Sequence, residues 1–124
     1  MFNKNLPYII AEIASAHEGD ADLAIEITNY AIAANADAVK FQIFNSEKLL
    51  SKNNPFFEEF QQIEFSAKDW KKIIKSTNNK KIAFIAEAYD KESLLFAENF
   101  NVFKAYKIPA SCLIDDDMLK ILKK

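Results

Sequence analysis

A chain of 124 residues, half of them hydrophobic and eleven of them Phe, has enough apolar side chain for one modest core; this excludes a disordered chain and a pair of independent domains. Sixteen basic residues against eighteen acidic ones leave a formal charge of −2 with no basic stripe, so no nucleic-acid partner is expected. The lone Cys112 admits neither an internal disulfide nor a cysteine metal cluster, the opening Met1 to Pro7 is polar, and no run approaches the roughly 18 apolar residues that span a bilayer, so a cytoplasmic protein without a membrane anchor is expected.

Tyr8 to Ile13 is a short, almost wholly apolar run, the pattern of a strand covered on both faces as in a parallel sheet. Past Gly19, Asp20 supplies a helix cap. Leu23, Ile27, Ala31 and Ala34 then recur at helical spacing up to Asn35, a residue that tolerates the left-handed turn conformation. Ala38 to Gln42 repeats the strand pattern. The connection after it, Ile43 to Phe65, is long and carries Phe56, Phe57, Phe60 and Phe65, which either cover a ligand or pack as a short extra helix beneath the rim of the sheet. Ser66 with Asp69 reads as a capping box ahead of Trp70, Ile73 and Ile74. Ile82 to Ala86 forms the third strand, with Asp90 capping a helix that carries Leu94, Leu95 and Ala97. Phe103 to Ile108 forms the fourth, leading through Pro109 to Asp115 and the stripe Met118, Leu119 and Leu122.

Four strand-helix alternations predict the α/β class, with parallel strands and right-handed crossovers in one domain over residues 1–124. The order is that of a partial (β/α)8 TIM barrel of about four βα units, since a complete one typically takes about 250 residues. A fragment, a separately encoded half or a small open sheet are the three expectations, and Lys123 and Lys124 close a helix that no strand follows.

Ligands of parallel α/β sheets and barrels bind at the carboxyl ends of the strands. Glu12 closes the first strand, Lys40 and Gln42 close the second, Glu87 follows the third and Lys107 lies near the end of the fourth. Alternation places Tyr8, Ile10 and Glu12 on one side of their strand, Lys40 and Gln42 on one side of theirs, and Phe103, Ala105 and Lys107 likewise. Charges set among Ile, Val and Phe are costly unless they are paired or face a cavity. Two readings follow: a site in which both lysines hold an anion with Glu12 balancing them, or a buried Lys/Glu ion pair that serves the core. His17 is the single histidine and Gly19 the single glycine. One histidine makes no metal site, so His17 reads as a hydrogen-bonding or surface loop residue and Gly19 as a turn before the helix cap. Glycine-rich phosphate loops and nucleophile motifs are both lacking.

At these positions the chain resembles the sialic acid (N-acetylneuraminate) synthase family. Tyr8-Ile9-Ile10-Ala11-Glu12-Ile13 with Ala16-His17-Glu18-Gly19-Asp20 is similar to that family's first strand and its Asn-His-Asn-Gly loop. Ala36-Asp37-Ala38-Val39-Lys40-Phe41-Gln42 matches the second-strand signature closely, and Tyr106-Lys107-Ile108 is similar to the fourth-strand one. The resemblance covers only the first four units of the family's barrel. It implies condensation of phosphoenolpyruvate with an open-chain N-acetylhexosamine aldehyde, giving a nonulosonic acid and phosphate. Lys40 and Lys107 would bind phosphoenolpyruvate, Gln42 the amino sugar, and Glu12 would orient the reacting groups. A divalent metal, manganese or magnesium, would polarise the aldehyde, with ligands from the later half of the barrel and none from this chain. The chain alone would then be inactive, and a homo-oligomer or a missing C-terminal half is implied. Departures from the family pattern are Ala16 for Asn, Glu87 for Thr, and Ala110 for Ser with Ser111 one position late. His17, Glu87 and Ser111 are therefore secondary site candidates. The alternatives are a non-catalytic half-barrel that binds a phosphosugar or a partner, and a fragment of a 3-deoxy-sugar-acid phosphate synthase, which Ala86-Glu87-Ala88-Tyr89-Asp90 and Ile108-Pro109-Ala110 resemble.

Overall fold

The computed structural model describes residues 6–77 and 81–122, so the first five residues of the polar N-terminal segment and the closing Lys123 and Lys124 lie outside the described residues. Four strands, β1 (Ile10–Glu12), β2 (Ala38–Ile43), β3 (Ala83–Ala88) and β4 (Phe103–Lys107), form one parallel sheet in sequence order. Helix α1 (Ala21–Ala33) joins β1 to β2. The long connection holds α2 (Ser46–Leu49) and α3 (Phe57–Ile63) ahead of α4 (Ala67–Thr77), α5 (Lys91–Glu98) follows β3, and a 3-10 turn (Ala110–Cys112) leads to α6 (Asp116–Leu122). Among the described residues no helix is long and apolar enough to cross a membrane.

The helix starts lie where short side chains reach the free N–H groups of a first turn. Asp20 Oδ1 accepts from Asp22 and Leu23, Asp90 Oδ1 from Ser93, and Asp115 Oδ1 from Asp117 and Met118. Ser66 and Asp69 bond reciprocally as a capping box, each main-chain N–H donating to the other's side-chain oxygen. Asn35 takes the left-handed conformation after α1, with φ 59°. The buried stripe of α1 differs from the predicted one: Ala21, Ala24 and Thr28 are buried, while Leu23 and Ile27 are half-buried and Ala34 is exposed. Small residues let α1 approach α4, and Thr28 is buried without loss because its hydroxyl donates to Ala24 O at 2.8 Å. On α5, Leu94 is buried and Leu95 exposed, as neighbours about 100° apart on a helix must differ.

Ile13, Val39, Phe41, Ile43, Phe84 and Ala86 face the helices and pack with Ala24, Trp70, Ile73 and Ala97. The long connection packs rather than standing open. Phe57 and Phe65 are buried, Phe65 meets Trp70 edge-on, and Phe60 leans on Phe44, leaving only Phe56 of the four exposed. Gly19 explains how closely this connection docks. Its φ is +80°, and a Cβ there would stand 2.2 Å from the main-chain oxygen of Gln62 in α3. The glycine therefore provides a left-handed turn and also permits a backbone-to-backbone approach.

β4 departs from strict alternation. Phe103 pairs with Phe84 but Ala105 pairs with Ile85, leaving Lys104 as an extra residue in a bulge. Phe103 consequently joins Tyr106 on the helix side, with ring centroids 6.3 Å apart, and does not share a face with Ala105 and Lys107 as alternation predicted.

Candidate active site

The face of the sheet turned away from the helices carries a row of alternating charges across all four strands. Glu12 lies beside Lys40 in the β1–β2 register, and Lys40 Nζ stands 2.5 Å from Glu12 Oε2. The same ammonium pairs with Glu87 Oε2, while Glu87 Oε1 pairs with Lys107 Nζ. The order across β1 to β4 is thus Glu12, Lys40, Glu87, Lys107. The middle of this ladder is dry and its ends are wet: side-chain exposure is 3% for Glu87 and 15% for Lys40, against 43% for Glu12 and 47% for Lys107.

Glu87 does not follow the third strand, as predicted from the sequence; β3 runs on to Ala88, and Glu87 is paired in register with both Gln42 and Lys107. That placement makes it the hub. Burial pushes its carboxyl group up, but Lys107 and Lys40 outweigh this and hold it below the ordinary carboxylate range. Burial likewise works to lower the Lys40 ammonium, and the hydrogen bonds and charges of Glu12 and Glu87 reverse it, holding the group above the ordinary lysine value. Lys40 and Glu87 therefore hold each other in the charged form, and the formal charges of the four side chains sum to zero.

Gln42, two residues beyond Lys40 on the same face, donates from Nε2 to the Tyr89 hydroxyl at 3.0 Å. Tyr89 is a site residue that sequence reasoning missed, although it stands two positions after Glu87 and so on its side of the chain. Burial, with the Glu87 carboxylate adding to it, raises the Tyr89 phenol and keeps it a neutral donor. Glu12 is fixed from its own loop as well, since its Oε1 accepts from Ala14 N at 3.2 Å. Ala14 has a φ of 46°, an uncommon conformation for alanine that turns the chain sharply at the strand end.

His17 does not join this group. It is buried at 3% exposure, not a surface residue; its ring stacks on Phe65 at 4.1 Å and its Nδ1 accepts from Gly19 N at 3.0 Å. Burial holds its pKa below the ordinary histidine value, against a backbone contact with Ala14 that works the other way. Ser111 lies in the 3-10 turn and its hydroxyl comes within 3.8 Å of the Cys112 sulfur, apart from the ladder. Among the described residues no three His, Cys, Asp or Glu side chains converge as a metal cage. The only histidine is moreover committed to its own loop, so the residues present do not fit a metal by themselves.

The NeuB family model matches residues 27–124, which include Lys40, Gln42, Glu87 and Lys107. The chain belongs to the NeuB family. The N,N'-diacetyllegionaminic acid synthase of Legionella pneumophila is 31% identical over 117 residues, covering 83% of this chain and 33% of that protein. The enzyme of the same name from Campylobacter jejuni is 29% identical over 130 residues, covering 94% of this chain and 39% of its own. In structure, this NeuB-family chain is similar to the N-acetylneuraminic acid (sialic acid) synthetase of Leptospira borgpetersenii, crystallised in complex with citrate. The TM-score is 0.82 at 25% identity, covering 99% of this chain and 44% of that one. The chain thus spans about a third of the length of the curated relatives it matches. These likenesses bear out the family read from Val39-Lys40-Phe41-Gln42, and the four-unit parallel sheet is that of a partial α/β barrel.

Proposed function

We propose that this chain supplies the first half of the barrel domain of a cytoplasmic synthase that condenses phosphoenolpyruvate with an N-acetylhexosamine aldehyde, giving a nonulosonic acid and phosphate. The observation that carries the reading is the convergence of Lys40 of β2 and Lys107, which closes β4, on the buried carboxylate of Glu87 on the strand between them. Two ammonium groups that both reach one carboxylate can hold a carboxylate or phosphate of a ligand in the same way. In this reading Lys40 and Lys107 bind phosphoenolpyruvate, Gln42 and Tyr89 face the amino sugar, and Glu12 orients the reacting groups. A divalent metal belongs to the full enzyme of this proposal. Its ligands would come from outside the described residues.

Glu87 limits the affinity. A ligand anion must displace its carboxylate from two lysines or accept it as a neighbour, and like charges at that separation repel by several kcal/mol in a partly dry site, about 4 kcal/mol at 4 Å with an effective dielectric of 20. Phosphoenolpyruvate is therefore expected to bind weakly. In calorimetric titration at fixed salt, Glu87→Thr should tighten binding at least tenfold, while Lys40→Met or Lys107→Met in that background should reverse the gain. The chain alone should release no phosphate from phosphoenolpyruvate and N-acetylmannosamine with added manganese. Unchanged affinity in all three variants would refute the binding role.

One observation favours a second reading. The ladder already neutralises both lysines, as a non-catalytic half-barrel that binds a phosphosugar or a partner through other groups would have it. The same titrations separate the two.

A further inference from the structure

The Gln42 carboxamide, on the ladder face of β2, is held at one end. Its Nε2 donates to the Tyr89 hydroxyl at 3.0 Å, and among the described residues nothing donates to its Oε1. Tyr89 is itself held from three sides, although it lies past the end of β3. Its N–H donates to Ile43 O at 3.1 Å, its carbonyl accepts from the Cys112 sulfur at 3.2 Å, and its ring meets Phe44 edge-on with centroids 6.4 Å apart. Either end of a carboxamide can meet a phenol, and here the neighbouring charge decides which. Glu87 stands two residues earlier on the same face, paired in register with Gln42; its carboxylate only accepts, so the phenol proton turns towards it. The phenol oxygen is left to accept, which requires the nitrogen of Gln42 there and not its oxygen.

We infer that Tyr89 is a positioning residue: it pins the Gln42 carboxamide by its nitrogen, leaves Oε1 as the end open to a ligand, and so selects a ligand that brings an N–H donor there, as the secondary amide of an N-acetylated sugar does. The inference rests on the proposed function for the sugar, but not for the orientation of the amide. A carboxamide free to turn over offers a donor or an acceptor alike, so Gln42 without Tyr89 would not discriminate. Pinned at its nitrogen, it sets its oxygen against the lone pairs of any ligand that carries an ester or ether oxygen at that place, and an unmade hydrogen bond costs more than a made one contributes. A hydroxyl can turn its proton either way. The pinned amide therefore separates ligands whose hydrogen-bonding sense is fixed, and of these it takes the N–H.

The test compares N-acetylmannosamine with the O-acetyl ester of mannose at the same carbon, which keeps the acetyl group and replaces the N–H by an oxygen. In NMR titration the unaltered chain should bind the amide about tenfold more tightly, the worth of one hydrogen bond made against one left facing a lone pair. Tyr89→Phe keeps the ring beside Phe44 and both main-chain contacts, so the fold is retained while the pin is lost. In that variant the preference should fall to about twofold or less. The Gln42 side-chain amide protons, slow to exchange with solvent in the parent, should then exchange like those of an exposed glutamine. If Tyr89→Phe does not fold, exchange in the parent, with Gln42→Ala to identify the signals, decides alone. Equal binding of the two sugars by the parent overturns the inference, as do an unchanged preference in Tyr89→Phe and Gln42 amide protons that exchange freely in the parent. Binding of neither sugar overturns it together with the sugar of the proposed function. Phosphoenolpyruvate affinity that is indifferent to Lys40→Met and Lys107→Met refutes the proposed anion site and leaves the sugar preference as it is.

Discussion

Replacing Gly19 by alanine tests how the site's first loop is held. The new methyl group brings two penalties that can be worked separately. At φ +80° any L side chain is strained, about 1–2 kcal/mol. The Cβ would also stand 2.2 Å from the Gln62 main-chain oxygen and 3.2 Å from its carbonyl carbon, both rigid backbone. Restoring an ordinary contact needs a shift of about 1 Å between the β1–α1 loop and α3, and overpacking of this kind costs about 1–3 kcal/mol. The sum is about 2–5 kcal/mol. At about 4 °C per kcal/mol for a domain of this size, the melting midpoint should fall by about 8–20 °C. Thermal and urea unfolding followed by circular dichroism measure it, with Ala16→Gly as a control at an exposed position of the same loop. A Gly19→Ala midpoint within 2 °C of the parent would show that the loop and α3 do not meet as described, and the account of the docked connection would fail with it.

Glu87 should make stability depend on pH in acid. Its folded pKa lies below the ordinary 4.5, so its contribution is complete above that value and disappears as pH falls through the folded pKa. Glu87→Gln should cost about 1–3 kcal/mol at pH 7, less than the roughly 3–5 kcal/mol of breaking a fully buried pair, because Lys40 keeps Glu12 and Lys107 reaches water. The gap from the parent should shrink in urea titrations below pH 4.5; a gap that persists unchanged to pH 3 contradicts the ladder. The two lysines should also differ. Lys40→Met strips Glu12 and Glu87 of a shared, nearly buried partner and should cost about 2–4 kcal/mol, whereas Lys107→Met removes a half-exposed group and should cost about 1 kcal/mol or less. Equal losses in chemical denaturation would mean that exposure does not set their worth.

Local signals were legible and non-local ones were not. The caps at Asp20, Asp90 and Asp115 and the box of Ser66 with Asp69 are decided within three residues, so composition reveals them. The strand-end positions of Glu12 and Lys107 follow from period-two alternation joined to the rule for parallel sheets, whereas Lys40 does not close β2, which runs on to Ile43. Glu87 was misplaced by one element because β3 is extended to Ala88 by pairing with β2 and β4, which no local pattern announces. The pairing of Glu87 with both lysines depends on the same register. His17 is the hydrogen-bonding loop residue its neighbours suggest, but its burial is not legible locally, because Phe65, forty-eight positions on, covers its ring. Tyr89 lies in the segment Ala86-Glu87-Ala88-Tyr89-Asp90, but only the cross-strand distance to Gln42 gives it a part in the site.

The extra residue in β4 decides how far another strand can pair beside it. Phe103 and Tyr106 are three positions apart, an odd number, so a regular strand would have to put one of them on the ladder face or give up the lysine at 107. The bulge at Lys104 removes that conflict. A kinked strand with a lysine at the kink offers no straight row of N–H and C=O groups along its whole length. Orderly pairing on its far side is thereby confined to the short regular stretch from Ala105 to Lys107, the length of β1 itself.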